Sequence, residues 1–228
     1  MPDSATQHET NRAFYDRISH VYDWLADSNE GPARRAGVEA LAVQPGEAVL
    51  ELGFGTGNEV LELAKLVGPT GRVAGIDVSE GMRAVTQKKL DEAKPQAKVD
   101  LCVGDARRLP YPDQTFDAVY TSFTLELFPL DDIPGVLAEA KRVLKPGGRL
   151  GVVSMATVKD GQRASFLEKS YVWMHRHFPH FVDCQPIDTE GVVAQAGFQI
   201  QSVQEREIWT MPVRVVVGIK SSPHANKA

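Results

Sequence analysis

Short apolar runs alternate with helical patterns along most of the chain. The run "EAVLEL" at residues 47–52 predicts a buried strand, and "NEVLELAKLV" at 58–67 predicts a helix with one apolar face. Further strands are predicted at 71–78, 99–105 and 116–123. Ser79 is placed as the N-cap of a helix that runs to about Ala93. This alternation is typical of a layered α/β domain with a parallel sheet.

The second half of the chain continues the pattern. A helix from about Asp132 to Leu144 is expected to end at "KPGG", because proline and glycine stop helices. The run "RLGVVSM" at 149–155 then predicts a fifth strand. A short helix near Thr189–Ala196 follows, and the runs at 198–207 and 211–220 predict two last strands.

Two helical segments precede the predicted sheet, and a third amphipathic stretch interrupts its second half. The first shows helical spacing at Phe14, Ile18, Val21, Tyr22 and Leu25, the second runs from about Pro32 to Ala42, and the third covers Ser165–His177. We expect one domain over residues 9–220, comprising N-terminal helices at 9–45 and a cap segment at 160–187. The ends, 1–8 and 221–228, are expected to be disordered.

Composition narrows the class of protein. The 228 residues, 43% of them hydrophobic, suffice for the core of one domain. A net charge of -5 without a run of five basic residues disfavours nucleic acid as a partner. Cys102 and Cys184 have no disulfide-framework or zinc spacing, which fits a reducing cytoplasm. No stretch approaches the roughly 20 apolar residues of a membrane span, and no apolar signal core is present, so we expect a soluble cytoplasmic protein.

Three glycines at alternate positions suggest a ligand site. Gly53, Gly55 and Gly57 in "LELGFGTGNEV" follow the first strand, at the edge where an open α/β sheet leaves its crevice. Glycine permits positive φ, and it lets backbone N–H groups approach a ligand without an intervening Cβ. The structural alternative is a tight turn, for which one glycine would suffice. We therefore interpret the loop as ligand-binding.

The spacing around this loop separates candidate ligands. A dinucleotide fingerprint would require glycine at position 58, where Asn58 stands, and a P-loop would require Gly-Lys-Ser/Thr after the turn. Asp77 ends the second strand twenty residues after Gly57, where a carboxylate can accept both hydrogens of a ribose diol. A dinucleotide site would also have an acid there. The pattern that remains, E-x-G-x-G-x-G, resembles the class I S-adenosylmethionine-dependent methyltransferases over nearly all of residues 10–220.

This resemblance implies a fold, a cofactor and a set of contacts. The implied fold is a Rossmann-like, doubly wound, seven-stranded, mostly parallel sheet with a helical N-terminal extension and a cap over the substrate pocket. The cofactor is S-adenosyl-L-methionine, with S-adenosyl-L-homocysteine as product and no metal. Glu51, partly buried, would face the methionine amino group; Met82 would pack on adenine, unless it is a core methionine, and Asp105 would take the adenine amino group, unless it is a turn acid. The implied cofactor contacts are Tyr15, Glu51, Gly53, Gly55, Gly57, Asp77, Met82, Asp105, the backbone N–H of Ala106, and Thr121.

Within this superfamily the chain resembles the ubiquinone/menaquinone-biosynthesis type and its neighbours, which include small phospholipid N-methyltransferases. The resemblance is carried by "FYDRISHVYDWLAD", "DARRLPYPDQTFDAVYTSFTLELF" and "RVLKPGG". Quinone enzymes carry an Arg-Asn pair just after strand four, whereas this chain has Leu125 and Glu126 there. A quinone-precursor or phenol-like ring is the implied acceptor. A phospholipid amine, a small thiol, a non-catalytic S-adenosylmethionine-binding protein and a nicotinamide-dependent oxidoreductase stay open as alternatives.

Acid–base and substrate contacts are assigned from position. A general base is needed only if the acceptor keeps its proton at neutral pH, and the candidates are His20, Tyr22 and Glu126. The candidate substrate contacts are Phe123 after strand four, with Tyr171 and Trp173 in the cap segment. His175, His177 and His180 match no strong metal-ligand spacing, so no metal is expected. The oligomeric state is left open.

Overall fold

The structure, a computed structural model, describes residues 30–157, 185–208 and 211–222. Within these residues seven strands form one sheet with the order β3-β2-β1-β4-β5-β7-β6. In chain order the strands are β1 Ala48–Leu52, β2 Arg72–Asp77, β3 Lys98–Val103, β4 Phe116–Ser122, β5 Leu144–Met155, β6 Gln199–Ile208 and β7 Met211–Ile219. Strands β1 to β5 pair in parallel, and β7 runs antiparallel to both of its neighbours. The predicted mostly parallel, seven-stranded α/β fold is confirmed.

Helices cover both faces of this sheet. They are α1 over residues 30–41, α2 Asn58–Val67, α3 Glu80–Ala93, α4 Ile133–Val143 and α5 Thr189–Gln195, with one 3-10 turn at Leu125–Leu127. Ser79 caps α3 as predicted, because its hydroxyl accepts a hydrogen bond of 3.0 Å from the Met82 N–H. The cap satisfies one of the N–H groups that a helix leaves unpaired in its first turn.

The core consists of one apolar layer on each side of the sheet. On one side, Leu50 and Leu52 pack with α4 and α5, and on the other side Val49 packs with α1, α2 and α3. This alternation follows from the two-residue period of a strand, and both faces are apolar because helices cover both. A fully buried leucine contributes about 1.5 to 3 kcal/mol, so the sheet centre holds the strand ends rigidly in place.

The prediction that "KPGG" separates α4 from the fifth strand is wrong. Helix α4 ends at Val143, and β5 begins at once with Leu144, which pairs with Phe116. The register then shifts, so that the next pair joins Ala118 to Arg149. Pro146, Gly147 and Gly148 occupy this irregularity, where a missing N–H and a positive φ are tolerated within a strand.

Several predicted segments lie outside the described residues: the first N-terminal helix, the amphipathic stretch Ser165–His177, and nearly all of the two ends. The last three residues of the predicted cap segment, 185–187, are described. Ile187 is 2% exposed and bridges Ala156 beside the sheet, so this end of the segment is part of the core. Among the described helices, none has the length and apolar character that crossing a membrane requires.

Candidate functional site

Three strand ends meet at the carboxyl edge of the sheet. Leu52, the last residue of β1, pairs with Ile76 of β2 on one side and with Thr121 of β4 on the other. The loops that follow these strands therefore start side by side, where open α/β sheets bind their ligands. Helix α1 lies over the same region, since the buried Tyr120 hydroxyl donates to the Arg34 carbonyl at 2.9 Å.

The glycine loop between β1 and α2 adopts the backbone that its sequence predicts. Gly53, Gly55 and Gly57 have φ of 70°, 49° and 79°, in the left-handed region that favours glycine. Their N–H groups, however, donate to the Ile76 carbonyl, the Asp77 carboxylate and the Phe54 carbonyl, at 2.8, 2.9 and 2.9 Å. These bonds hold the loop in its own shape, and contact of the glycine backbone with a ligand stays a prediction.

The three glycines differ in what surrounds them. A Cβ at Gly53 would lie 2.9 Å from the Thr124 Cβ, and one at Gly57 would lie 2.9 Å from the Thr86 Cβ. A Cβ at Gly55 would meet no atom of the described residues within 4 Å. Gly53 and Gly57 are therefore required by the packing of the protein itself. Gly55 leaves open space in front of the loop, where a ligand can approach the backbone.

Asp77 joins the glycine loop to the next strand end. One carboxylate oxygen accepts from the Gly55 N–H and the other accepts from the Ser79 N–H, each at 2.9 Å. Asp77 therefore fixes the loop, a role that its position in the sequence did not suggest, and the ribose contact stays a prediction.

Glu51 is buried more deeply than predicted. The residue is 1% exposed, and neither carboxylate oxygen has a hydrogen-bond partner among the described residues. Burial, reinforced by the charge of Glu59, raises the pKa of Glu51 well above its ordinary value. A buried carboxyl group without partners is costly, and a cationic ligand group would remove that cost.

The predicted adenine contacts have partners of their own. Met82 is 2% exposed and packs in the apolar layer beneath α3, as a core methionine does. Ala106 is 5% exposed. The Asp105 carboxylate binds the Arg107 guanidinium at 2.6 and 2.9 Å, and Arg107 also binds Asp132 at 2.8 Å. Asp105 therefore anchors the turn after β3, and the adenine roles of these residues stay predictions.

Arg34 on α1 was not singled out from the sequence, although it is central to the site. Its guanidinium binds Glu59 of α2 at 3.1 Å and Glu30 at 2.6 Å. It also lies 5.5 Å from the ring centroid of Phe123. These contacts join α1 to α2 and to the segment after β4. Glu59 and Phe123 are far from Arg34 along the chain, so no local pattern could have predicted the arrangement.

The end of β4 has a buried hydroxyl group without a partner among the described residues, and the residue that follows the strand has a strained backbone. Phe123 is half-buried with φ of 49°, an uncommon backbone for an aromatic residue. Thr121 is 1% exposed, and its hydroxyl has no hydrogen-bond partner among the described residues. Backbone strain of this kind occurs most often at functional sites.

Glu126 lies three residues beyond Phe123, in the 3-10 turn. It is 1% exposed, and its Oε1 accepts from the Met155 N–H at 2.9 Å at the end of β5. Its Oε2 has no hydrogen-bond partner in the described part of the chain. Burial raises the pKa of Glu126 to about 7, and the bond from Met155 only partly opposes this rise. The group can therefore gain or lose a proton near neutrality.

The remaining predicted site residues cannot be placed. Tyr15, His20, Tyr22, Tyr171 and Trp173 lie outside the described residues, as do the three histidines weighed for a metal. Among the residues that are described, no group of three or more His, Cys, Asp or Glu side chains could hold a metal ion.

Comparison with known proteins agrees with this geometry. A family model described as a methyltransferase domain matches residues 49–148, which contain the glycine loop and β1 to β4. The solved structure of an S-adenosylmethionine-dependent methyltransferase from Thermotoga maritima has a TM-score of 0.67 and covers 92% of this chain and 99% of its own. The identity is 23%, so this likeness shows the fold alone.

Two curated relatives carry the family assignment. A demethylmenaquinone methyltransferase of Lactobacillus johnsonii is 41% identical over 143 residues, which are 61% of this chain and 58% of that protein. This chain spans only about three fifths of the length of the first curated relatives that it matches. A demethylmenaquinone methyltransferase of Symbiobacterium thermophilum is 33% identical over 233 residues, covering 90% of both chains. The chain therefore belongs to the class I S-adenosylmethionine-dependent methyltransferases, in the group of the ubiquinone/menaquinone-biosynthesis enzymes.

Proposed function

We propose that the protein transfers a methyl group from S-adenosylmethionine to a small, largely apolar acceptor with a quinone-precursor or phenol-like ring. Membership of the family implies S-adenosylmethionine as the donor. Three observations on the described residues carry the proposal: the space in front of Gly55 is open, Asp77 binds the Gly55 N–H, and the buried Glu51 carboxyl group at the end of the same strand has no hydrogen-bond partner there. The acceptor class is supported by the relatives, which are named demethylmenaquinone methyltransferases.

The residues of the crevice fit this cofactor in chemical type. The Glu51 carboxylate would receive the ammonium group, and binding that cation would relieve the cost of its burial. Asp77, which ends β2 and binds the Gly55 N–H, would receive the ribose hydroxyls, since a carboxylate accepts from hydroxyl groups. Asp105 and the Ala106 N–H would bind the adenine edge, and the glycine backbone would let the cofactor lie close to β1. Tyr15, Met82 and Thr121 remain proposed contacts.

Positioning accounts for most of the proposed catalysis. When bound, the cofactor supplies a sulfonium methyl group, which is already a strong electrophile. The protein must therefore hold the acceptor in line with that group and keep water away, which can lower a barrier by about 7 to 11 kcal/mol in ideal cases. The ring of Phe123 follows β4 at the carboxyl edge of the sheet and would form part of the apolar wall. The Arg34 guanidinium, 5.5 Å from the ring centroid, holds that ring in place. Tyr171 and Trp173 are proposed to complete the apolar wall.

The first test measures binding of S-adenosylhomocysteine by isothermal titration. The informative variant is Gly55→Ala, because the new methyl group meets no atom of the described residues within 4 Å but occupies the proposed path of the cofactor. The matched control is Gly147→Ala, at a glycine that also has positive φ, of 76°, and whose added Cβ would have Ser222 Oγ at 3.8 Å as its one near atom in the described part of the chain. We expect Gly55→Ala to weaken binding by about tenfold or more, whereas Gly147→Ala leaves it unchanged.

Other outcomes would decide against the proposal or narrow it. Failure of the wild-type protein to bind S-adenosylhomocysteine, or stronger binding of NAD, would contradict the methyltransferase function. Binding without turnover on hydroquinones, phenols, thiols or lipid amines would favour a non-catalytic S-adenosylmethionine-binding protein. Turnover on lipid amines or thiols alone would retain the reaction class and replace the acceptor.

The proposal also specifies partners and place. We infer a small-molecule acceptor instead of nucleic acid, because the chain carries a net charge of -5 and would repel a phosphate backbone. The cytoplasm is the proposed location, in keeping with two cysteines that have no disulfide-framework spacing.

A further inference from the structure

The Oε2 atom of Glu126 is a buried carboxyl oxygen in the turn that follows β4. Buried polar atoms are nearly always paired, because leaving one unpaired costs about 1 to 3 kcal/mol. Among the described residues, Glu126 Oε2 is buried and has no hydrogen-bond partner. The Met155 N–H binds Oε1, and the Ser154 side chain also acts on this carboxyl group by lowering its pKa, but neither meets Oε2 at hydrogen-bond distance.

The Glu126 carboxyl group is held in place beside the ends of β4 and β5. Leu125 beside it is 1% exposed and anchors the 3-10 turn in the core. The Met155 N–H fixes Oε1 across the ends of β4 and β5, and the Gln185 N–H donates to the Glu126 carbonyl at 3.1 Å. Thr124, two residues earlier, is the residue that closes on Gly53 of the glycine loop. One short segment therefore contacts the proposed cofactor loop and carries the carboxyl group.

We propose that Glu126 contacts the methyl acceptor and that its Oε2 accepts the proton of a hydroxyl group on that acceptor. This inference rests on the proposed function and specifies its acceptor as a phenol or hydroquinone. The proton passes from the acceptor oxygen to Oε2, and the electron pair of the broken O–H bond stays on the acceptor. The carboxylate becomes neutral and the acceptor becomes an anion, so the net charge of the site does not change.

Charges around Glu126 suit this exchange. Burial opposes ionisation, and Glu30 of α1 is the titratable group whose negative charge adds to that effect. The Met155 N–H, the N–H of Glu126 itself and the Ser154 hydroxyl favour the ionised form, and all these effects together leave the pKa of Glu126 at about 7. A base with a pKa near the working pH combines a useful ionised fraction with sufficient proton affinity.

The direct test compares two matched ligands, 1-naphthol and 1-methoxynaphthalene, which differ in a hydroxyl hydrogen. Their affinities are measured by titration of the protein saturated with S-adenosylhomocysteine, for wild type, Glu126→Gln and the control Glu92→Gln on the exposed surface of α3. The Met155 N–H should keep the glutamine oxygen at the Oε1 position, so the amide nitrogen would replace Oε2. That nitrogen is a donor and cannot accept from a hydroxyl group.

We expect wild type and Glu92→Gln to prefer 1-naphthol by about tenfold or more, and Glu126→Gln to lose most of that preference. The preference of wild type for 1-naphthol over 1-methoxynaphthalene should also rise between about pH 6 and about pH 8. At low pH the protonated carboxyl group can donate to the ether oxygen, whereas at high pH the carboxylate can only accept, which favours the ligand with a hydroxyl group. This pH series uses unaltered protein, so it tests the inference even if Glu126→Gln fails to fold.

A second readout is methylation of 1,4-naphthohydroquinone. The kcat/KM of wild type should rise with pH through about 7, and Glu126→Gln should lose that rise and about 10² to 10⁴ in rate, with S-adenosylhomocysteine affinity unchanged. An unaltered ligand preference in folded Glu126→Gln, or a wild-type preference that does not vary with pH, would overturn the inference while the methyltransferase function stands. Absence of S-adenosylhomocysteine binding in wild type would overturn the function itself.

Discussion

The two loops that leave the centre of the sheet differ in how far the protein completes them by itself. After β1, the N–H groups of all three glycines are hydrogen-bonded, and threonines close on Gly53 and Gly57. After β4, Phe123 holds a strained backbone and Glu126 has one oxygen without a partner among the described residues. In the first loop the N–H groups of the glycines are hydrogen-bonded within the protein. In the second loop one carboxyl oxygen has no such bond among the described residues.

This difference matches two tasks in one reaction. A cofactor that is the same in every turnover is best met by a fixed surface, because pre-organised groups lose little freedom on binding. On the proposed phenol or hydroquinone acceptor a proton must leave, so a group beside that acceptor has to change its protonation state during the cycle. Thr124 connects the two loops by packing against Gly53, so the two loops are held in a fixed position relative to each other.

The largest expected effect tests whether the first loop is complete. Gly53→Ala would force the new Cβ to 2.9 Å from the Thr124 Cβ in a left-handed backbone, so we expect about 3 to 4 kcal/mol less stability. Gly55→Ala carries only the backbone cost, about 1 to 2 kcal/mol. Urea unfolding of both variants measures the two free energies.

A third variant is the control for this comparison. Thr124→Gly combined with Gly53→Ala removes the opposing side chain, so part of the lost stability should return beyond what Thr124→Gly costs alone. Equal unfolding free energies for Gly53→Ala and Gly55→Ala would show that the glycines are interchangeable and that the loop is less tightly packed than described.

Part of this first loop could be predicted from the sequence, and the limit is physical. Glycine at alternate positions after an apolar strand indicates the backbone conformation, and α2 follows over residues 58–67 as predicted. The threonines that distinguish Gly53 and Gly57 from Gly55 come from positions 124 and 86. Packing between such distant segments leaves no local pattern, so the different roles of the glycines become visible only in the folded chain.

A smaller expected effect is the pH dependence of the unfolding free energy that the Glu126 carboxyl group in the second loop causes. The ordinary pKa of a glutamate is 4.5, whereas Glu126 in the folded protein has a pKa of about 7. The unfolded chain therefore loses this proton first, and the folded state is penalised as pH rises from about 4.5 to about 7. Full ionisation costs on the order of 3 kcal/mol of stability above that range and nothing below it.

Glu126→Gln should remove this part of the pH dependence. Unfolding free energies of both proteins, measured across the same pH range, should converge at the acid end, after allowing a constant offset, and diverge toward pH 8. Glu51 also has a raised pKa, but it is present in both proteins and cancels in the difference. A difference that is constant with pH would mean that Glu126 ionises as an ordinary glutamate.

The second loop was harder to predict than the first. Glu126 was a candidate base from its position after strand four, but its burial depends on Met155 and on the chain near Gln185, both distant in sequence. The β5 start at Leu144 was missed for a related reason, because pairing with Phe116 outweighs the local preference of proline and glycine for a break. In both cases tertiary contacts override a local pattern.

The smallest expected effect tests whether the contacts of the Phe123 ring outweigh the cost of its strained backbone. Lys94 ends α3 with φ of 46° and is exposed, so Lys94→Gly should only relieve strain and raise stability by about 1 kcal/mol. Phe123→Gly relieves strain at the same kind of backbone, with φ of 49°, but it removes the ring that faces the Arg34 guanidinium. We expect a net loss of about 1 kcal/mol, because buried apolar area and the cation–π contact outweigh the relief. Thermal unfolding of the two variants measures both changes in stability. Higher stability of both variants would mean that the Phe123 ring contributes little and that the second loop holds its shape without it.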